Sequence, residues 1–106
     1  MKLGKAEMIY PFTRQTFDQN NSIHARGFAP FIGIPEDPGT GSVASALGFY
    51  LYDKNSKEKN IIIEQGYEMN RPSKIFVQSD SAEGKNTEIR VGGRVRLVFK
   101  GNLYLE

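Results

Sequence analysis

A chain of 106 residues, 39 % hydrophobic and 25 % charged, has the composition of an ordinary globular domain, which sets disordered and collagen-like classes aside. A formal net charge of +2 is too small to argue for nucleic acid or an anionic membrane as partner. The absence of cysteine excludes a disulfide scaffold, thiol catalysis and cysteine-based zinc sites. Residues 1–7 contain no apolar signal region, and no stretch approaches the roughly 18 apolar residues a membrane helix needs. These features lead us to expect a single domain over residues 1–106, soluble and cytoplasmic, with no membrane or nucleic-acid partner.

In chain order, residues 7–13 carry Met8, Ile9, Tyr10 and Phe12 and predict a strand, which Pro11 confines to an edge or shortens. Residues 18–22 (DQNNS) are a polar loop, and residues 23–28 alternate loosely around the single histidine, His24, and Arg26. The Pro- and Gly-rich stretch 29–38 reads as a connecting turn. It leads through Glu36-Asp37-Pro38 into the small-residue corner Gly39-Thr40-Gly41-Ser42. The corner opens an apolar run, from Val43 to Tyr52, expected to form a buried helix of roughly a dozen residues, because a helix without a polar stripe must be surrounded by protein. Residues 53–60 form a charged loop. The continuous apolar run Ile61-Ile62-Ile63 predicts a strand over 60–65 buried on both faces. Residues 66–73 interrupt it, residues 74–79 give another strand, and residues 80–86 are a hairpin loop. Ile89, Val91, Val95, Leu97 and Phe99 then alternate with Arg90, Arg94, Arg96 and Lys100, predicting a half-buried antiparallel strand with a bulge at Gly92-Gly93. A final strand is expected over 103–105. One long helix and about six or seven strands imply an α+β domain, with a curled, mostly antiparallel, barrel-like sheet around the central helix.

The chemistry concentrates at the helix entry. The first turn of a helix presents unpaired N–H groups and the positive end of its dipole, which together attract an anion. Thr40 or Ser42 can cap, and Gly39 and Gly41 allow a ligand to approach the backbone. Asp37 is either a turn residue complementing the dipole or a general acid/base beside the anion site. Ser42 is better suited to capping than to nucleophilic attack, since nothing in the spacing brings His24 to it as a base. His24 itself reads as a strand residue with a satisfied ring. Gly39-x-Gly41-x-x-Ala44, followed by Glu64, fits a dinucleotide fingerprint only loosely, because Pro35-Glu36-Asp37-Pro38 stands where a strand should run straight into the glycines. Arg90, Arg94, Arg96 and Lys100 form a solvated strand face without the aromatics of a nucleic-acid stripe. Metal ligands at useful spacing are absent. Residue chemistry alone therefore reaches a small-anion-binding α+β domain and names no reaction.

Three blocks resemble the phenazine-biosynthesis PhzF-like isomerase family. They are Arg26-Gly27-Phe28-Ala29-Pro30 with Gly33-Ile34 and Glu36-Asp37-Pro38-Gly39-Thr40-Gly41-Ser42; then residues 65–73 (QGYEMNRPS); then Val91-Gly92-Gly93 with Gly101 and Leu103. Gly27 and Gly39 depart from the pattern, standing where a larger residue and an alanine are more usual. The resemblance runs from about Met8 to Leu103 and covers only the family's C-terminal half. It implies one half of a diaminopimelate-epimerase-like fold, in which two similar halves face each other across the active site. It also implies proton transfer without cofactor or metal, on a small carboxylate-bearing metabolite held at helix N-termini. Carried over by residue, the catalytic candidates are Asp37 and Ser42, and the substrate-binding candidates are Gly39, Thr40, Gly41 and Ser42. The family's first half, with the glutamate acting as main catalytic base, has no match here, and neither Glu36 nor Glu68 stands at its position. Three arrangements stay open: a homodimer that brings two Asp37 side chains to one cleft, a separate N-terminal-half polypeptide that completes the site, or a non-catalytic anion-binding module or inactive truncated fragment.

Overall fold

The computed structural model describes residues 6–54, 58–81 and 86–106. The loops expected over 53–60 and 80–86 fall partly on residues 55–57 and 82–85, which lie outside the described residues. Among the described residues there are seven strands and one α-helix, so the α+β expectation holds. The strands are β1 (Phe12–Thr13), β2 (Ile23–Ala25), β3 (Gly27–Ala29), β4 (Ile34–Asp37), β5 (Asn60–Gln65), β6 (Ser73–Asp80) and β7 (Glu88–Gly92). The helix is α1 (Gly41–Lys54), and it is neither long nor apolar enough to cross a membrane.

The main sheet has five strands in the order β1-β2-β5-β6-β7. β2 runs parallel to β5 and every other pairing is antiparallel, so the sheet is mixed. It is open and not curled into a barrel, which corrects the barrel-like expectation. β3 and β4 make a separate two-stranded ribbon. The stretch 29–38 is therefore more than a turn: Pro30–Ile32 forms one 3-10 turn, and Ile34–Asp37 pairs with β3. Proline is tolerated there because a two-stranded ribbon has only edges. The expected first strand shrinks to β1, with Ile9 bridged separately to Phe28.

β5 is the axis of the fold. Side chains of a strand alternate between faces, so Ile61, Ile63 and Gln65 point one way and Ile62 and Glu64 the other. The parallel register Ile23↔Ile63, His24↔Glu64, Ala25↔Gln65 extends both sets onto β2. Ile23, Ala25, Ile61, Ile63, Ile75 and Val77 form the core on the first face, closed by Ala44, Leu47 and Leu51 of α1. Both faces of β5 are covered, as its unbroken apolar run requires.

The helix buries one side only, with Phe49 and Tyr50 about half exposed at 48 % and 51 %. This corrects the expectation of a fully surrounded helix. Its close approach to the sheet depends on Gly48, where an added Cβ would stand 2.4 Å from Val77 Cγ1. Alanine in place of Gly48 gains about 1 kcal/mol of helix propensity but overpacks a filled core, which costs about 1–3 kcal/mol. Gly48→Ala is therefore expected to be less stable than wild type in urea denaturation; an increase in stability would mean that α1 does not pack this closely on β6.

The largest departure lies beyond β7. Residues 93–106 hold no strand and pair with none of the described strands. Period-two alternation marks a segment able to pair, but a strand forms only where a partner lies in register, and among the described residues β7 pairs with β6 alone, leaving its outer edge open. Val95, Leu97 and Phe99 are 96 %, 78 % and 83 % exposed, and Leu103, Tyr104 and Leu105 are similarly open. The radius of gyration of 16.2 Å exceeds the roughly 13 Å of a compact chain this long, as a projecting segment requires.

Candidate active site

The ribbon strand β4 delivers Asp37 directly into the corner that starts α1. Asp37 is half-buried, and its Oδ2 accepts a 2.5 Å hydrogen bond from the Thr40 hydroxyl. Thr40 is buried; its carbonyl accepts the Ala44 N–H, opening the helix, and its own N–H donates to Gln65 Oε1 at 3.3 Å. Both donors of Thr40 are thus used inside the protein. Gly39, Gly41 and Ser42 are exposed, and the first-turn amides at Gly41 and Ser42 have no carbonyl to reach within a helix. The sequence candidates therefore come together but divide into two layers. Asp37 and Thr40 form a hydrogen-bonded inner pair, while Gly39, Gly41 and Ser42 form an outer rim open to a ligand.

The corner is clamped from behind by the residues that follow β5. Gly66 adopts a left-handed conformation (φ 85°), and a Cβ there would stand 2.2 Å from the Arg71 carbonyl oxygen and 2.7 Å from that of Pro38. The Ser73 hydroxyl donates to the Pro38 carbonyl at 2.6 Å. Pro38, Gly39, Arg71, Pro72 and Ser73 line an open concavity of about 420 Å³ next to the corner. Arg26 grips Glu36 through two bonds of 3.0 and 2.9 Å and lies 4.9 Å from the centre of the Phe28 ring. The Arg26 hydrogen bond holds the Glu36 carboxyl below the usual carboxylate range and fixes the residue beside Asp37.

Gln65 ties this corner together, and sequence reasoning did not single it out. Its fully buried carboxamide donates to the Asp37 carbonyl at 2.7 Å and to Thr40 Oγ1 at 3.1 Å, and it accepts from the Tyr10 hydroxyl at 2.7 Å. Burial, followed by the Asp37 charge, pushes the Tyr10 phenol above its usual range, so it remains a donor. A polar side chain in a strand read as buried on both faces needs partners, and that was the available signal.

A second polar cluster occupies the opposite face of the sheet. Glu64 is fully buried and accepts from the Phe17 and Asp18 backbone N–H groups at 2.9 and 3.1 Å, and from Asn21 Nδ2 at 2.8 Å. His24 Nδ1 lies 2.6 Å from Glu64 Oε2, and its Nε2 lies 2.5 Å from Glu68 Oε2. Carboxylates only accept, so this geometry suits a doubly protonated ring. Burial opposes that charge, but the bonds to Glu68 and Glu64 outweigh it and raise the His24 pKa. Burial likewise opposes the Glu64 charge, and the bonds from Asn21, Phe17, His24 and Asp18 outweigh it and lower its pKa. Phe17 stacks on Tyr67 at 5.4 Å, and both rings meet His24 edge-on. His24 is a satisfied strand histidine turned away from the Asp37 corner, so no serine–histidine arrangement forms.

Comparison with known proteins matches residues 1–101 to the family model PhzC-PhzF, described as phenazine biosynthesis-like protein. The chain belongs to this PhzF family. It is 33 % identical over 78 residues to the uncharacterized isomerase YfhB of Bacillus subtilis, covering 72 % of this chain and 27 % of that protein. It is 31 % identical over 83 residues to trans-2,3-dihydro-3-hydroxyanthranilate isomerase of Pseudomonas aeruginosa, covering 76 % of this chain and 30 % of that enzyme. The crystal structure of a Bacillus anthracis PhzF-family phenazine biosynthesis protein superposes with a TM-score of 0.74 at 27 % identity, over 81 % of this chain and 31 % of that one. This PhzF-family chain thus spans about a third of the length of the relatives it matches.

Proposed function

We propose that this PhzF-family chain carries one half of an isomerase site, which moves a proton on a small carboxylate-bearing metabolite without a cofactor. The reading rests on one observation: Asp37 is held by Thr40 directly beside the exposed N-terminal turn of α1. Asp37 acts as the acid/base group or proton relay. The substrate carboxylate docks on the Gly41 and Ser42 amides and the Ser42 hydroxyl, where the helix dipole favours negative charge. Gly39 keeps the approach open, and Thr40 supports Asp37 from inside. Negative charge developing on the substrate is stabilised by the same fixed amides.

A second half completes the site, and a second copy of the chain is the partner we favour. The apolar side chains of residues 93–106 support association, because so large an exposed apolar surface is a contact surface in soluble proteins. Twofold pairing is the commonest closed arrangement and would set two Asp37 corners around one cleft. Light scattering over a dilution series is expected to give a dimer; a monomer down the whole series would rule out a second copy as the completing half.

The chemical test uses trans-2,3-dihydro-3-hydroxyanthranilate, the compound named for the Pseudomonas aeruginosa relative, together with simpler carboxylates, in deuterated water. Deuterium uptake is expected with wild type and should fall by about 10²–10⁴-fold in Asp37→Asn, the usual weight of a general acid/base. Uptake that survives in Asp37→Asn would remove Asp37 from the chemistry.

A further inference from the structure

The Thr40 hydroxyl has one proton and two neighbours, Asp37 Oδ2 at 2.5 Å and Gln65 Nε2 at 3.1 Å. Which neighbour receives the proton depends on the orientation of the Gln65 amide, and the backbone decides that orientation. Gln65 Nε2 lies 2.7 Å from the Asp37 carbonyl oxygen, and Oε1 lies 3.3 Å from the Thr40 N–H. Flipping the amide would set two acceptors against each other at Asp37 and two donors against each other at Thr40, losing both bonds. The nitrogen therefore faces the Thr40 oxygen as a donor, and the hydroxyl proton is left to point at Asp37.

We propose that Gln65 is a positioning residue of the proton-transfer site: its buried amide directs the Thr40 proton onto Asp37 Oδ2 and leaves Oδ1 as the oxygen open to substrate. This rests on the reading of Asp37 as the acid/base group. Three further features hold the amide in place. The Tyr10 hydroxyl caps Oε1 at 2.7 Å, so all four hydrogen-bonding positions of the carboxamide are filled. Gln65 shares the inward face of β5 with Ile61 and Ile63, and it is fully buried. Gly27 completes the enclosure: a Cβ there would stand 3.1 Å from Gln65 Nε2 and 3.3 Å from Thr40 Oγ1, tight enough to push the pair aside. Glycine at position 27 thus fits a network that fills the space a larger residue would claim.

A purely structural glutamine would stabilise the fold without governing a single proton, and NMR on the unliganded chain separates the two roles. In wild type the Thr40 hydroxyl is expected to give its own slowly exchanging resonance, with a cross-peak to the Gln65 amide protons. In Gln65→Met, similar in volume but without donors or acceptors, exchange of that hydroxyl should speed up at least tenfold while the Ile63 and Val77 amides keep their wild-type protection. An averaged, rapidly exchanging Thr40 hydroxyl in wild type overturns the proposal without any variant. So does unchanged hydroxyl protection in a folded Gln65→Met. Both readouts are taken without substrate, so an Asp37→Asn chain that keeps full deuterium uptake would defeat the functional reading separately.

Discussion

Replacing Gly66 with alanine is expected to leave the chain at or beyond the edge of folding. At φ 85° an alanine costs about 1–2 kcal/mol from its own backbone. The larger penalty is the close approach. The new Cβ would lie 2.2 Å from the Arg71 carbonyl oxygen and 2.7 Å from that of Pro38, and neither backbone atom can rotate away as a side chain does. Moving them breaks the Arg71 N–H bond to the Gly66 carbonyl and the Ser73 bond to Pro38. A combined loss on the order of 3–5 kcal/mol is expected, against the 5–15 kcal/mol typical of a whole domain. Gly33 supplies the control, since it has nearly the same φ, 82°, with nothing within 4 Å of its would-be Cβ. Gly33→Ala should lose only the backbone term, about 1–2 kcal/mol. Urea denaturation of both variants separates the two contributions, and equal losses would show that Gly66 serves only its own dihedral angle.

That glycine also shows how far the sequence could be read. The block 65–73 stood out by resemblance, but the clamp depends on Pro38 lying against residue 66, across 28 positions of chain. Local signals fared best where one element's own pattern decided the outcome. Three consecutive isoleucines required a strand covered on both faces, and the small-residue corner required a helix start; both are found. The pattern failed where pairing depended on something outside the segment. Residues 34–37 became a strand because β3 lay alongside, whereas residues 93–99, with far better alternation, pair with none of the described strands even though β7 leaves an edge open. The roundly apolar composition of α1 suggested complete burial, yet the sheet covers only one side of it. At the candidate site, Asp37 is legible from residues adjacent in sequence, whereas Ser42 as more than a cap comes only from the family resemblance. Gln65 and Glu64 could not, because each acts on partners 25 or more residues away. The hint was their place: two polar side chains ending a strand that must be buried on both faces.

Glu64→Ala is the other substitution expected to be severe, because Glu64 holds together one whole face of the sheet. Its two oxygens accept from the Phe17 and Asp18 backbone, from Asn21 and from His24, and it has no exposure to water. Removing it strands these donors and leaves the His24 ring with Glu68 alone. Breaking a buried pair from one side costs about 3–5 kcal/mol; here Glu68 still partners the ring, and the loss falls chiefly on the Phe17, Asp18 and Asn21 donors left without an acceptor. The pair also predicts a pH profile. His24 has its pKa raised from the model-peptide 6.5, so its contribution is complete below about 6.5 and is lost as pH rises through the folded-state value. Glu64 has its pKa lowered from 4.5, so its contribution is complete above about 4.5 and is lost as pH falls through the folded-state value. Both are fully present only between about pH 4.5 and 6.5, where this cluster contributes most to stability. Denaturation midpoints measured from pH 3 to 9 should therefore fall on both sides in wild type. His24→Gln should flatten the alkaline side and leave an acid limb, because the amide cannot charge but Glu64 still accepts from the loop. An alkaline fall that is just as steep in His24→Gln would mean that another group carries the pH dependence, and that the His24 ring is already neutral between its two carboxylates.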